Sequence, residues 1–339
     1  MSVRPSIISS VSHTGGRGRR TLPPMNSHPR LHKLRRCTSL EWMYDSNEDS
    51  DMSVDYCRLV IRVGDDVAIF PLDKRSVPTN DGSLPIMSYW YGKVEEIYLK
   101  TVKQKQDVWL NIRWYYRQVD LEDQGVNLAA FVGEYELILS DHTSIVDMHC
   151  IEDHATIIQY DEEDLAQPQI PGETLYYRWT VSMQFETHRN VIQLQGVHIE
   201  NSQVSTRCSC DSCDHSFSSP YNLQRYCRTC QQWFNDTCLV AVAKKMERTL
   251  KMRLPSIYDA VEFDKEFLAL LTTPIRRGGH FGVVGNGIIL FQVKSLLEDA
   301  LTLGRLPDGW MDRVQLMKLS SVDDAVPRYY CPVCKRVVV

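Results

Sequence analysis

A chain of 339 residues, 43% apolar and 24% charged, holds enough hydrophobic material for two folded domains and lacks the bias of a wholly disordered or fibrous protein. A net charge of −5 excludes broad binding to a phosphate backbone, which needs a basic face to displace counterions, and leaves only local contact with nucleic acid. No run of about 18 apolar residues occurs and the start has no secretory-type apolar stretch, so the chain is expected inside the cell and off the membrane.

In chain order, residues 1–36 carry Arg17, Arg19, Arg20, Arg30, Lys33, Arg35 and Arg36 and no acid, among many Ser, Gly and Pro. Such a segment buries too little apolar surface to offset the entropy of ordering, so disorder is expected. Its basic clusters suit a nuclear import signal, a nucleic-acid arm, a solvated tail or, as a smaller option, a mitochondrial presequence. Acidic residues from Glu41 to Asp55 read as a linker, so that 1–57 is expected to be a tail, basic and then acidic. From Leu59 the pattern turns strand-like, with expected strands at 63–70, 91–98, 108–117, 134–139, 156–160 and 175–183. In the third of these, Val108, Leu110, Ile112, Trp114 and Tyr116 share one face by the two-residue period. After Cys238 the period becomes helical over 239–253, 259–272, 288–303 and 309–319, punctuated by Pro255, Pro274 and Pro307. The glycines from Gly278 to Gly287 read as a turn, because no strand-then-helix unit or Lys-Ser/Thr pair supports a phosphate loop.

Two constellations carry chemistry. The first is the series Gly64-Asp65-Asp66-Val67, Tyr91-Gly92-Lys93-Val94, Arg113-Trp114-Tyr115-Tyr116-Arg117, Glu134-Tyr135-Glu136-Leu137 and Ser140-Asp141-His142. In order and spacing it resembles a BAH domain, here over 58–184, and is most similar to the plant histone readers that fuse a BAH domain to a PHD finger. The resemblance implies a small β barrel-like domain. It also implies that Trp90, Trp114 and Tyr116 surround a methylated lysine of a histone tail, with Asp141 and His142 beside the peptide. A quaternary ammonium has no hydrogen to donate and is held by the negative faces of aromatic rings, each contributing roughly 0.5–2 kcal/mol when desolvated. Aromatics on an apolar strand face also serve as core, and Tyr89 or Tyr91 could stand in for Trp90.

The second constellation is Cys208, Cys210, Cys213, Cys227, Cys230, Cys238, Cys331 and Cys334. Eight clustered thiolates in a reducing compartment suit two tetrahedral zinc ions. The run Cys227-x-x-Cys230-x-x-Trp233-Phe234-Asn235-x-x-Cys238, with Tyr329 two residues before the last pair, resembles a PHD finger. That resemblance implies a cross-brace in which Cys227, Cys230, Cys331 and Cys334 share one ion and Cys208, Cys210 and Cys238 bind another. Asn235 stands where the family has histidine, so the second ion needs Cys213, or else His215. The 92 residues between Cys238 and Cys331 are expected to form a helical insert at 239–328 within a finger domain of 185–339.

The expected architecture is therefore mixed α and β. The expected function is that of a non-enzymatic nuclear chromatin reader that binds histone tails or nucleosomes, possesses further chromatin partners and touches DNA at most through its basic tail. Two alternatives stay open: a RING-like ubiquitin ligase, since Cys-Pro-x-Cys also ends many RING fingers, and a scaffold whose BAH domain binds a protein partner. No nucleophile is assignable beside Asp141 and His142, so no catalytic activity is expected.

Overall fold

The computed structural model describes residues 31–45, 56–70, 84–102, 105–122, 126, 132–188, 191–199, 222–246, 263–314 and 329–338. The architecture is mixed α and β, mostly sheet. The chain divides into two compact units. Unit 1 comprises Met1–Leu128, Tyr135–Gln159 and Glu173–Ser202; unit 2 comprises Ala129–Glu134, Tyr160–Gly172 and Gln203–Val339.

Unit 1 contains β1 (Arg35–Cys37), β2 (Ser39–Asp45), β3 (Tyr56–Arg62), β4 (Asp66–Ile69), β5 (Trp90–Val102), β6 (Lys105–Arg117), α1 (Gln118–Glu122), β7 (Glu136–Asp147), β8 (Ile151–His154), β9 (Ile157–Gln159), β10 (Leu175–His188) and β11 (Val191–Ile199). Seven strands run β11-β10-β7-β6-β5-β4-β8, with β1 added on β5 and β9 on β10, while β2 and β3 form a separate ribbon. The alternation in β6 holds: Val108, Leu110, Ile112, Trp114 and Tyr116 are all buried. The other face of β6 closes over toward its end, where Tyr115 and Arg117 are buried too.

Two ion pairs sit inside this unit. Arg117 is locked to Asp120 in the first turn of α1 through Nε to Oδ2 (2.7 Å) and one terminal nitrogen to Oδ1 (2.7 Å). Glu136 opens β7 and binds Arg178 of the parallel neighbour β10 at 2.6 Å. Both pairs are hydrogen-bonded at both ends, the condition under which buried charge is tolerated.

The sequence reading placed residues 35–45 in the tail and linker. They instead pair as strands: β1 lies on Ile97–Leu99, and β2 lies along β3. The reason is that Leu40, Trp42 and Tyr44 alternate with Glu41, Met43 and Asp45, and Glu41 is matched across the ribbon by Arg58 at 2.7 Å. Residues 1–30 and 46–55 lie outside the described residues.

Unit 2 contains β12 (Gln224–Cys227), β13 (Gln232–Asn235), α2 (Asp236–Met246), α3 (Lys265–Leu271), β14 (Arg276–Arg277), α4 (Gly287–Leu303), α5 (Trp310–Arg313), β15 (Tyr329–Tyr330) and β16 (Val337–Val338). The sheets are β13-β12-β14 and β15-β16. The expected helices appear within the described residues. Phe267 and Leu270 of α3, the Ile289, Val293, Leu296 and Leu297 stripe of α4, and Trp310 of α5 form one core, with the Trp310 indole donating to Asp264 at 2.8 Å. Gly304 in left-handed backbone (φ 72°) terminates α4. The glycine stretch is a closed turn: Gly278 N–H bonds to Gly282 C=O at 2.7 Å, and at Gly278 and Gly285, both at positive φ, a side chain would collide with a carbonyl oxygen. At the centre of this unit Arg277 is fully buried, bonded to Glu162 (2.6 Å), Gln224 (2.9 Å) and the Tyr160 hydroxyl (3.2 Å). Residues 160–172, expected within the first domain, thus belong to unit 2.

Candidate functional site

The aromatic residues singled out in the sequence meet in unit 1. The Trp90 ring centroid lies 6.0 Å from that of Trp114 and 6.3 Å from that of Tyr116, with interplanar angles of 77° and 87°. The strands explain the meeting. Gly92 on β5 pairs with Trp114 on β6, and Ile112 fills the space a side chain at Gly92 would take; Trp90 lies two residues back on the same face of β5. Centroids about 6 Å apart at near right angles are the geometry of edge-to-face aromatic packing. Trp114 and Tyr116 are only 1% and 0% exposed, and Trp90 is partly exposed. Neither tyrosine flanking Trp90 takes its place. Tyr91 is buried with Ala68, Leu137 and Leu175 and donates its hydroxyl to the Ile86 carbonyl (2.5 Å), and Tyr89 packs against the same cluster.

Ser140, Asp141 and His142 are brought to this corner by a bulge. Arg113 pairs with Thr143 and Tyr115 with Leu139, so the single residue Trp114 on β6 stands opposite all three on β7. A bulge of this kind re-aims side chains, and each of the three has a distinct tie. The Ser140 hydroxyl donates to the Trp114 carbonyl at 2.8 Å. Asp141 accepts from the Ser182 hydroxyl (2.7 Å) and the Met183 N–H (2.8 Å) of β10. His142 Nδ1 lies 2.7 Å from the Tyr116 hydroxyl, and its ring is 4.8 Å from that of Phe185. The Trp114 indole N–H is satisfied by Ser144 at 2.8 Å.

Burial raises the Tyr116 phenol well above its ordinary range, and the carboxylates of Asp120 and Asp141 raise it further. Burial also pushes His142 down to about 4, against an opposing pull from Asp141. The imidazole is therefore neutral at pH 7, and a hydrogen bond joins its Nδ1 to the Tyr116 hydroxyl. An unfolded histidine takes up a proton near 6.5, whereas the folded one resists to about 4, so the stability tied to neutral His142 is full above 6.5 and lost as pH falls between the two values. Between pH 7 and 4.5 the wild-type chain is expected to lose about 2 kcal/mol more than His142→Gln, measured by urea denaturation. Equal losses would show that the ring protonates freely in the fold.

In unit 2, the Sγ atoms of Cys227, Cys230, Cys331 and Cys334 all lie within 4.8 Å of one another. The cross-brace pairs are close: Cys227 to Cys334 is 3.6 Å and Cys230 to Cys331 is 3.5 Å. Four thiolates about 2.3 Å from one tetrahedral ion stand roughly 3.8 Å apart, so the donor set fits such an ion in number, element and spacing. The two knuckles match each other. Gln231 N–H bonds to the Cys227 carbonyl and Lys335 N–H to the Cys331 carbonyl, at 2.8 and 3.0 Å, and both Gln231 and Lys335 adopt positive φ (55° and 61°). Burial raises the Cys230 and Cys331 thiols, which a dication at the centre would reverse.

Of the other expected ligands, Cys208, Cys210, Cys213 and His215 lie outside the described residues. Cys238 is buried on α2, packed with Phe234, Leu239 and Tyr329. Asn235 is buried and accepts a hydrogen bond from the Gln224 amide at 2.9 Å. Trp233, a cage wall in some fingers of the resembled kind, is 3% exposed, with the Arg277 guanidinium 4.3 Å above its ring.

Sequence reasoning missed Arg117, Asp120, Ser144 and Phe185 around the aromatic corner. The i, i+3 spacing of Arg117 and Asp120 after a strand was a usable signal. Phe185 had none, because its place depends on how β10 lies against β7.

No family model matches the chain, and no curated protein matches it. Among solved structures the chain is similar to the yeast Rsc2 BAH domain, at 18% identity and a TM-score of 0.23, over 36% of this chain. The match spans 46% of that structure, less than half its length, and is too slight to carry a conclusion. Among the described residues, no helix is long and apolar enough to cross a membrane.

Proposed function

We propose that the chain is a non-enzymatic chromatin reader, in which a BAH domain receives a methylated histone lysine at the Trp90–Trp114–Tyr116 corner and a PHD-like finger is held by zinc. The observation that supports this most is the meeting of Trp90 with both Trp114 and Tyr116 at near right angles. Methylation removes the hydrogen-bonding needs of a lysine ammonium while keeping its charge, and a corner of indole and phenol faces suits that combination. The order and spacing of the sequence motifs support the same domain assignment. In this reading the chain acts in the nucleus on histone tails or nucleosomes, and its basic first 36 residues make local DNA contacts.

The cover over Trp114 and Tyr116 has a consequence for binding. Because Trp114 and Tyr116 are buried, a ligand reaches them only in an opened form of the corner, so the observed affinity is the intrinsic one reduced by the fraction of open molecules. The full chain titrated calorimetrically with trimethylated and unmodified histone-tail peptides is expected to prefer the trimethylated form. Trp90→Ala is expected to weaken that binding by roughly 3–30-fold, the worth of one ring. Equal affinity for both forms of every peptide would refute the reading.

A further inference from the structure

We propose that Arg117 is the positioning residue of the aromatic corner, an internal cation that fixes Trp90 as its wall. The inference rests on the reader reading above and adds a residue that does not itself meet the ligand. Arg117 is 2% exposed, and its guanidinium carbon lies 5.1 Å from the centre of the Trp90 ring. The same guanidinium donates to the carbonyl of Met87, three residues before Trp90 in the short 3-10 turn Ile86–Ser88. It therefore grips the Trp90-bearing segment twice, at the backbone of the turn and at the face of the ring.

The grip is braced because two further donors are committed to Asp120. Asp120 takes Nε and a terminal nitrogen at 2.7 Å each, and also accepts the Arg117 backbone N–H at 3.0 Å. This planar, two-pronged match is available to arginine and not to lysine, whose ammonium neither forks nor stacks. Asp120 has a second effect. It offsets the positive charge of Arg117 beside a corner meant for a cation, and its carboxylate acts on Tyr116 as well. With one face of the indole taken by Arg117, the ligand has the other.

The test uses the full chain with 19F-labelled tryptophan, the Trp90 signal being identified by its loss in Trp90→Phe. Arg117→Lys keeps the charge and removes the fork and the stack. The variant is expected to shift or broaden the Trp90 signal, to lose about tenfold in affinity for a trimethylated histone-tail peptide, and to bind the unmodified peptide unchanged. In the Trp90→Phe background the same substitution is expected to add less than twofold. A folded Arg117→Lys with its Trp90 signal unmoved and trimethyl-peptide affinity within twofold of wild type overturns the proposal. If Arg117→Lys does not fold, Asp120→Asn, which keeps the side-chain shape, is judged by the same criteria. If the wild-type chain does not discriminate methylation, the reader reading has failed, and movement or stillness of the Trp90 signal decides the positioning role alone.

Discussion

Replacing Cys331 with serine is expected to strip the metal from unit 2 and to unfold the segments it joins. Cys331 is fully buried, against Phe234, Leu239 and Tyr329, and its sulfur is one corner of the four-cysteine cluster. The β15–β16 knuckle is short, each of its strands being two residues long, and it packs on Phe234 and Leu239 through Tyr329 and Cys331. Two-stranded ribbons of that size do not persist in water unaided. A structural zinc site contributes about 10–16 kcal/mol of apparent binding energy, and losing one thiolate forfeits much of it. The measurement is metal content after gel filtration, together with thermal melts with and without chelator. Wild-type protein from zinc-supplied cells is expected to carry at least one equivalent and to lose its melting transition with chelator. Metal-free wild-type protein whose melt ignores the chelator would remove the metal from the account.

The second large effect concerns Glu136, which is fully buried and bonded to Arg178 at 2.6 and 3.3 Å and to the Tyr176 hydroxyl at 3.3 Å. Glu136→Ala removes a carboxylate bonded through both oxygens to the guanidinium of Arg178, itself almost fully buried. Stranding one partner of a buried pair costs about 3–5 kcal/mol, a large part of the 5–15 kcal/mol by which a domain is usually stable. The double variant Glu136→Met, Arg178→Leu is expected to recover most of that loss, because it strands no charge. Chemical denaturation of the three proteins tests this. A double variant no more stable than Glu136→Ala would mean that the pair supplies specific structure beyond mutual neutralisation. The pair joins the first residues of β7 to β10, so its loss also loosens the strand that holds Asp141 beside the aromatic corner.

Much of this was legible before any coordinates. The two-residue period of 108–117 identified both a strand and its inward face, because side chains alternate across a pleat whatever surrounds it. The paired Cys-x-x-Cys spacings pointed to four thiols that could hold one metal ion, because two sulfurs three residues apart reach one centre from a single tight turn. The helical period after Cys238 survived in α3 and α4 for the same local reason. Residues 35–45 read as tail and linker by their charge, yet Leu40, Trp42 and Tyr44 carry the two-residue period of a strand within that charged segment.

What the sequence by itself determined was which residues could do chemistry: aromatics in one strand, thiols in pairs, a Ser-Asp-His run. Only the tertiary structure decided which of them meet. Trp90, in preference to Tyr89 or Tyr91, joins Trp114 and Tyr116 because β5 and β6 pair in a register that sets Gly92 opposite Trp114. His142 reaches Tyr116 because β7 carries two more residues than β6 across the bulge, and Arg277 finds Glu162 more than a hundred residues away. Register, bulges and long-range ion pairs are fixed by the packing of the whole chain, so no local pattern encodes them.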